Sequence, residues 1–331
     1  MDSLTTSNVS RRAVLMGGAV LGAAGAAGAA GLMTRGQPAA AQAAAPSFPR
    51  PRVGATFDLF PFKNGTTWEQ AVDDWNARTG TTMRCWKVYF GQDKNGHGVF
   101  PTGIDGQIQT IIKRDIQALI SFKPTIDTTS AQARTDRAKL RDALIMFKSH
   151  KLIAEVCLWQ EVSSRYMTAA QYHAYVQHYG PTIRRYYPLV FDAPGYRMPS
   201  EWRAFNPGRE HLDGYALDFY CPDLIRKGHD LTPLFDMAGD LPVGVWEIGN
   251  TASSGFMPTP SQLGTYMTYL TQALIGRRAE RLPVGSVAWY NGPADAKQSG
   301  QNEIAGTHPN PLAPQDIRHY RTLYRAVNHV P

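Results

Sequence analysis

The chain has 331 residues, 43% of them hydrophobic and 18% charged, which excludes a disordered protein. Its 30 Gly and 23 Pro follow no three-residue period, which excludes collagen, and 3 Cys are too few for a disulfide scaffold. Lys and Arg outnumber Asp and Glu by 34 to 27, a formal net charge of +7. The basic residues are spread along the chain and form no run of the nucleic-acid-binding type.

The first segment reads as an address. Ser10-Arg11-Arg12-Ala13-Val14-Leu15 leads into a Gly- and Ala-rich apolar run from Ala13 to Met33, and Ala41-Gln42-Ala43 follows as a small-x-small cleavage site. A paired arginine before a weakly hydrophobic run predicts a twin-arginine export signal over residues 1–43. The run nearly reaches membrane-spanning length, but its Gly and Ala content makes it a poor anchor. Cutting after Ala43 removes Arg11, Arg12, Arg35 and Asp2, which takes the net charge from +7 to +5. A secreted or cell-wall-associated protein is therefore expected.

From Phe48 onward, β-branched or aromatic runs alternate with helical patterns, as in βα units around a parallel sheet. In chain order the predicted strands are Val53–Asp58, Thr82–Val88, Gln117–Phe122, Leu152–Leu158, Pro188–Asp192, Gly214–Phe219, Val243–Glu247 and Val284–Trp289. Helices are predicted from near Thr67, over Thr129–His150, from Thr168 to about Tyr179, and over Pro260–Glu280. Strand starts recur about every 33 residues. Eight units in about 250 residues point to one (β/α)8 TIM barrel over 44–331, preceded by the cleaved signal. A doubly wound open sheet would carry a GxGxxG loop after its first strand, and Gly54-Ala55-Thr56-Phe57-Asp58-Leu59-Phe60 has none. The stretch Gly292–Gln315, rich in Gly, Pro, Asn, Ala and Gln, is expected as a long loop on the catalytic face. Cys85, Cys157 and Cys221 lie in or beside apolar runs and are expected as buried, unpaired thiols.

Several chemistries lack their motifs. There is no HExxH, paired CxxC, P-loop or GxSxG, and His173 and His178 lie five apart on one helix, a poor spacing for a shared face. What remains is a pattern of acids at strand ends. The fourth strand runs Val156-Cys157-Leu158-Trp159-Gln160-Glu161, and the seventh runs Pro242-Val243-Gly244-Val245-Trp246-Glu247-Ile248-Gly249-Asn250. In a barrel both acids would converge on the C-terminal face, where active sites sit. Two acids there can split roles, one protonated and one ionised, as cleavage of a glycosidic bond requires. Glu155, six residues before Glu161, shares its strand face but points toward the bottom, where a structural ion pair is expected.

These strand contexts resemble the clan A TIM-barrel glycoside hydrolases, most closely the family 26 β-mannanase and β-glucanase group. The resemblance implies that Glu161 is the acid/base and Glu247, in its Pro-Val-x-x-x-Glu-x-Gly setting, the nucleophile of a retaining enzyme. It assigns Arg84, in Met83-Arg84-Cys85-Trp86, to holding the nucleophile ionised. The run Leu212-Asp213-Gly214-Tyr215-Ala216-Leu217-Asp218-Phe219-Tyr220 fits the family's strand-six pattern except for Leu212. It brings in Asp218, and Tyr220 as a donor to Glu247. Trp289 is placed as a platform under the sugar. Gln160 departs from the family, which has His or Asn before the acid/base. Asp58, Lys87, Tyr89, Trp159 and Asp192, near other strand tops, could hydrogen-bond or stack with sugars.

The expected partners are a β-linked polysaccharide or oligosaccharide and, for the precursor, the twin-arginine export machinery. No nucleic acid, metal or cofactor is implied, and a monomer is expected. Two other readings stay open: a non-catalytic carbohydrate-binding barrel, and a metal-dependent barrel hydrolase with Asp58 and Asp192 as ligands.

Overall fold

The computed structural model describes residues 47–57, 67–249, 258–291 and 314–328. The export-signal reading of residues 1–43, the loop after the eighth strand, and Asp58 lie outside the described residues. Among those described, no helix is long and apolar enough to cross a membrane.

Eight parallel strands close into a barrel. They are β1 (Val53–Phe57), β2 (Cys85–Phe90), β3 (Gln117–Phe122), β4 (Ala154–Leu158), β5 (Leu189–Pro194), β6 (Gly214–Tyr220), β7 (Val243–Gly249) and β8 (Val284–Asn291). Each pairs with the next, and β8 pairs back on β1 from Val53↔Val287 to Phe57↔Asn291. Helices α1 (Trp68–Thr79), α2 (Gly106–Lys113), α3 (Ala131–Ser149) and α4 (Ala169–Ile183) follow the first four strands. α5 (Pro199–Phe205) follows β5, α6 (Cys221–Ile225) and α7 (Thr232–Ala238) follow β6, α8 (Pro260–Ala279) follows β7, and α9 (Pro314–Asn328) follows β8. This is the expected (β/α)8 architecture.

Local chemistry starts the helices. Thr-x-x-Gln capping boxes open α1, α4 and α8: the Thr67, Thr168 and Thr259 hydroxyls accept from the Gln70, Gln171 and Gln262 amides. Each Gln side chain in turn accepts from the Thr backbone N–H, at 2.8, 2.8 and 2.9 Å, so two otherwise unpaired donors are satisfied together. Ser130 caps α3 through the Ala133 amide at 3.1 Å. β4 begins two residues later than its apolar run suggests. Lys151 takes a left-handed φ of 59° and the Leu152 amide bonds back to Phe147, so this stretch closes α3 instead.

Period-two alternation sorts each strand between two cores. Outward residues pack with large aromatic rings under the helices, where Trp75 meets Tyr320 edge-on at 5.1 Å. Inward residues Cys85, Leu119, Cys157, Val190, Ala216, Trp246 and Ala288 fill the barrel. Gly54 belongs to the same layer, where a Cβ would stand 1.8 Å from the Cys85 carbonyl oxygen. The three cysteines are free and buried, as expected. Glu155 corrects one expectation. It is buried near the bottom with no ion pair among the described residues, and accepts from Gln117 Nε2 at 2.5 Å and Ser286 Oγ at 3.1 Å. With burial outweighing those bonds, its carboxyl is pushed up to about 7.

Candidate active site

The parallel strands bring their C-terminal ends to one rim, and charged side chains gather there from β2, β5, β6 and β7. Lys87 is inward on β2, two residues beyond Cys85. Its ammonium donates to Asp192 Oδ2 at 3.1 Å and to Asp218 Oδ1 and Oδ2 at 2.7 and 2.8 Å. It also stands 3.0 Å from Glu247 Oε1. All four groups are buried, Glu247 at 5% exposure being the most open of them.

Glu247 owes its direction to an irregularity. Ala216 pairs with Gly244, but Asp218 pairs with Glu247, so β7 spends one extra residue in the interval. Strict alternation after inward Trp246 would turn Glu247 out toward the helices. The bulge turns it in beside Lys87 and returns Ile248 to the outer core. Two phenols complete its surroundings: Tyr89 on β2 donates to Oε1 and Tyr220 on β6 donates to Oε2. Burial and the adjacent Glu247 charge hold both phenols well above their ordinary range, so both remain O–H donors. Three donors on two oxygens call for an acceptor-only group, which a carboxylate is.

Glu161 comes from the turn after β4. Trp159 and Glu161 take left-handed φ values of 62° and 51°, which cost non-glycine residues about 1–3 kcal/mol each. Gln160 sits between them, its amide donating to Ser121 Oγ at 3.2 Å. Such strain concentrates where a side chain is aimed for use. Burial and the charge of Glu247, partly offset by Lys87 and Lys123, push the Glu161 carboxyl up to about 8. At neutral pH Glu161 therefore carries a proton to give.

Around Lys87 the carboxylates outnumber the cation. Burial pushes Asp192 up to about 6 and, with the Asp192 and Glu247 charges, pushes Asp218 well above its ordinary range. Burial alone would lower the Lys87 ammonium, but Asp192, Asp218 and Glu247 outweigh it and hold it well above its usual value.

Three expected site residues do not face the cleft. Arg84 precedes the first residue of β2 and is exposed at the N-terminal end, where its amide donates to Val53 O and its carbonyl accepts from the Gln117 amide. In a parallel barrel that is the end opposite Glu247, and the cation facing Glu247 is Lys87. Trp289 is fully buried on the outer face of β8, its ring edge-on to Tyr320 of α9 at 6.3 Å. Its neighbour Tyr290 is the residue that turns inward, 6.4 Å from the Tyr220 ring. Trp159 is buried between Tyr166 and Tyr175 rather than open to the cleft. Among the described residues, no group of three or more His, Cys, Asp or Glu could hold a metal ion. Asp192, one of the two proposed metal ligands, instead faces an ammonium.

No protein-family model matches the chain, and no curated protein does. Solved structures do match. A GH5 structure from Bifidobacterium longum subsp. longum, in complex with Manβ1-4GlcNAc, has a TM-score of 0.59 at 12% identity, over 85% of this chain and 80% of that one. A family 39 glycoside hydrolase from Bacteroides cellulosilyticus gives 0.53 at 15%, over 86% and 66%. The Bacillus subtilis mannanase BCman gives 0.51 at 13%, over 80% and 90%. The chain has the barrel of these glycoside hydrolases. At such identities the likeness is one of fold, and the chemistry must be argued from the site.

Proposed function

We propose that the protein is a retaining glycoside hydrolase acting on a β-linked polysaccharide or oligosaccharide, with Glu161 as acid/base and Glu247 as nucleophile. The observation that carries this reading is the division of labour between the two acids. Glu247 receives Lys87, Tyr89 and Tyr220 on its oxygens, while Glu161 is pushed up to about 8. Neighbours of the same fold include a mannanase and a structure holding Manβ1-4GlcNAc, which supports a β-glycan as substrate.

In the first step a Glu247 oxygen bonds to the anomeric carbon. The bond to the leaving oxygen breaks with its electron pair, and that oxygen takes the Glu161 proton. In the second step the Glu161 carboxylate takes a proton from water as the water oxygen attacks the anomeric carbon and displaces Glu247. Two inversions give net retention. Asp218, Asp192 and Lys87 hold Glu247 from beneath, and Tyr290 flanks Tyr220 at the rim.

Residues 1–43 fit a twin-arginine export signal, so the enzyme would act outside the cytoplasm. Replacing both Arg11 and Arg12 by Lys should trap the precursor inside the cell.

Azide rescue tests the roles directly. Glu247→Ala should lose about 10⁴-fold in kcat on an aryl β-glycoside and, with azide, yield the α-glycosyl azide. Glu161→Ala with azide should yield the β-glycosyl azide. Wild-type turnover by Glu247→Ala would overturn the assignment.

A further inference from the structure

The rim next to Glu161 holds two cations that nothing in the described residues neutralises. Lys123 follows the last residue of β3 and is fixed to the rim by its amide bond to Phe90 O at 2.9 Å. Its side chain is half-buried, with Nζ 5.5 Å from the Trp159 ring centre and 6.0 Å from that of Tyr166. Arg165 approaches the same Tyr166 ring, with Cζ 5.6 Å from its centre. Other cations of this face have carboxylates: Lys227 meets Asp223 at 2.8 Å, and Arg197 lies 3.8 Å from Glu201. Among the described residues Lys123 and Arg165 have neither an ion pair nor a side-chain hydrogen bond.

Their setting is that of a sugar subsite. Tyr166 is 40% exposed and lies on the same β4–α4 loop as Glu161. Tyr196, on the loop after β5, lies within the electrostatic influence of both Glu161 and Tyr166 and so extends the same wall. Burial lowers the Lys123 ammonium by more than the acidic groups near it raise it. A desolvated ammonium over two rings gains about 0.5–2 kcal/mol from the ring faces. A charge-assisted hydrogen bond to an anionic oxygen is a stronger partner, and none of the described residues supplies it.

Given the acid/base assignment of Glu161, this wall faces the departing half of the substrate. We infer that the leaving-group subsite binds a sugar bearing a negative charge, a uronate carboxylate or a sulfate ester. In it, Tyr166 stacks on the ring and Lys123 and Arg165 take the anion. The inference rests on the proposed function for the side of the cleft it names, but the anion site itself does not.

The test uses matched β-1,4-linked gluco- and manno-trisaccharides in three forms: neutral, C6-oxidised to the uronate at the reducing-end residue, and 6-sulfated there. Binding is measured by calorimetry on Glu247→Gln, and turnover on the wild-type enzyme. One charged form should bind at least about tenfold more tightly than the neutral one, with the preference shrinking as salt rises. Which charged form does so separates carboxylate from sulfate. Lys123→Met should abolish most of that preference, Lys123→Arg should keep it, and Arg165→Gln, at an exposed position, should halve it or more. Equal affinity for all three forms, no binding of any, or a preference that survives Lys123→Met overturns the inference. A charged preference without cleavage of any glycoside would leave the anion site standing and remove the hydrolase.

Discussion

The interior of the barrel holds two buried polar clusters built on opposite plans. At the C-terminal end, Lys87 serves Asp192, Asp218 and Glu247 at once. Toward the N-terminal end, Glu155 accepts from the neutral donors Gln117 and Ser286, and its Oε2 has no hydrogen-bond partner among the described residues. Both lie in the same ring of strands, so topology does not explain the contrast. The lower cluster favours the neutral form of its acid by starving it of a counter-charge. The upper one imports a cation, which faces three acidic side chains at the rim.

Removing that cation should give the largest effect. Lys87→Met leaves three buried carboxyl groups around a methyl group. Breaking a buried ion pair from one side costs about 3–5 kcal/mol. Urea titration at pH 7 should show a loss of that size, together with loss of turnover. A wild-type midpoint would mean that the upper cluster is no more charged than the lower.

The lower cluster should respond next, and only to pH. Glu155 is raised from an ordinary 4.5 to about 7, so its folded state holds the proton more tightly than the unfolded chain. The stability it contributes is complete below about 4.5 and is lost as pH rises through about 7, a total of about 3 kcal/mol. Glu155→Gln keeps an acceptor for Gln117 and Ser286 and removes the titration. Its urea midpoint should therefore flatten between pH 5 and 7 where that of the wild type falls.

The sequence foreshadows these clusters unevenly. All eight strands are visible in it because each is a short apolar run bounded by turn residues, and the Thr-x-x-Gln boxes mark three helix starts. The short helices α5, α6 and α7 are not visible, since five to seven residues are too few to show a period. Glu161 and Glu247 stand out as acids ending apolar runs. The cation does not, because Arg84 and Lys87 lie three apart in one expected strand, Thr82–Val88, and only the true start, Cys85, decides where each falls. Trp289 misleads for a related reason. One step along β8 exchanges the inner and outer faces, and Tyr290 was equally available as the inward ring. The β7 bulge leaves no local signature, although it sets the direction of Glu247.

A smaller effect concerns Glu161. Its proton is lost as pH rises through about 8, so kcat/KM for an unactivated β-glycoside should fall about tenfold per pH unit above that point. With Glu161→Gln and a dinitrophenyl leaving group, which needs no protonation, that alkaline limb should disappear. A limb that persists in the variant would assign it to another group.

The smallest effect tests how the upper cluster balances its charge. One ammonium cannot neutralise Asp192, Asp218 and Glu247 together, and burial first, then the charges of Asp192 and Glu247, hold the Asp218 carboxyl well above its ordinary range. The cluster is therefore expected to retain a proton, shared between Asp218 and Asp192. Asp218→Asn imitates that protonated state: its amide oxygen can still accept from Lys87 and its NH2 group can face Asp192, whose Oδ1 has no hydrogen-bond partner among the described residues. Its kcat/KM should stay within a factor of about three of wild type, whereas Asp192→Asn, which removes a charge that is ionised above about 6, should cost more than tenfold. Reversal of that order would place the shared proton on Asp192 and leave Asp218 as the partner that keeps Lys87 beside Glu247.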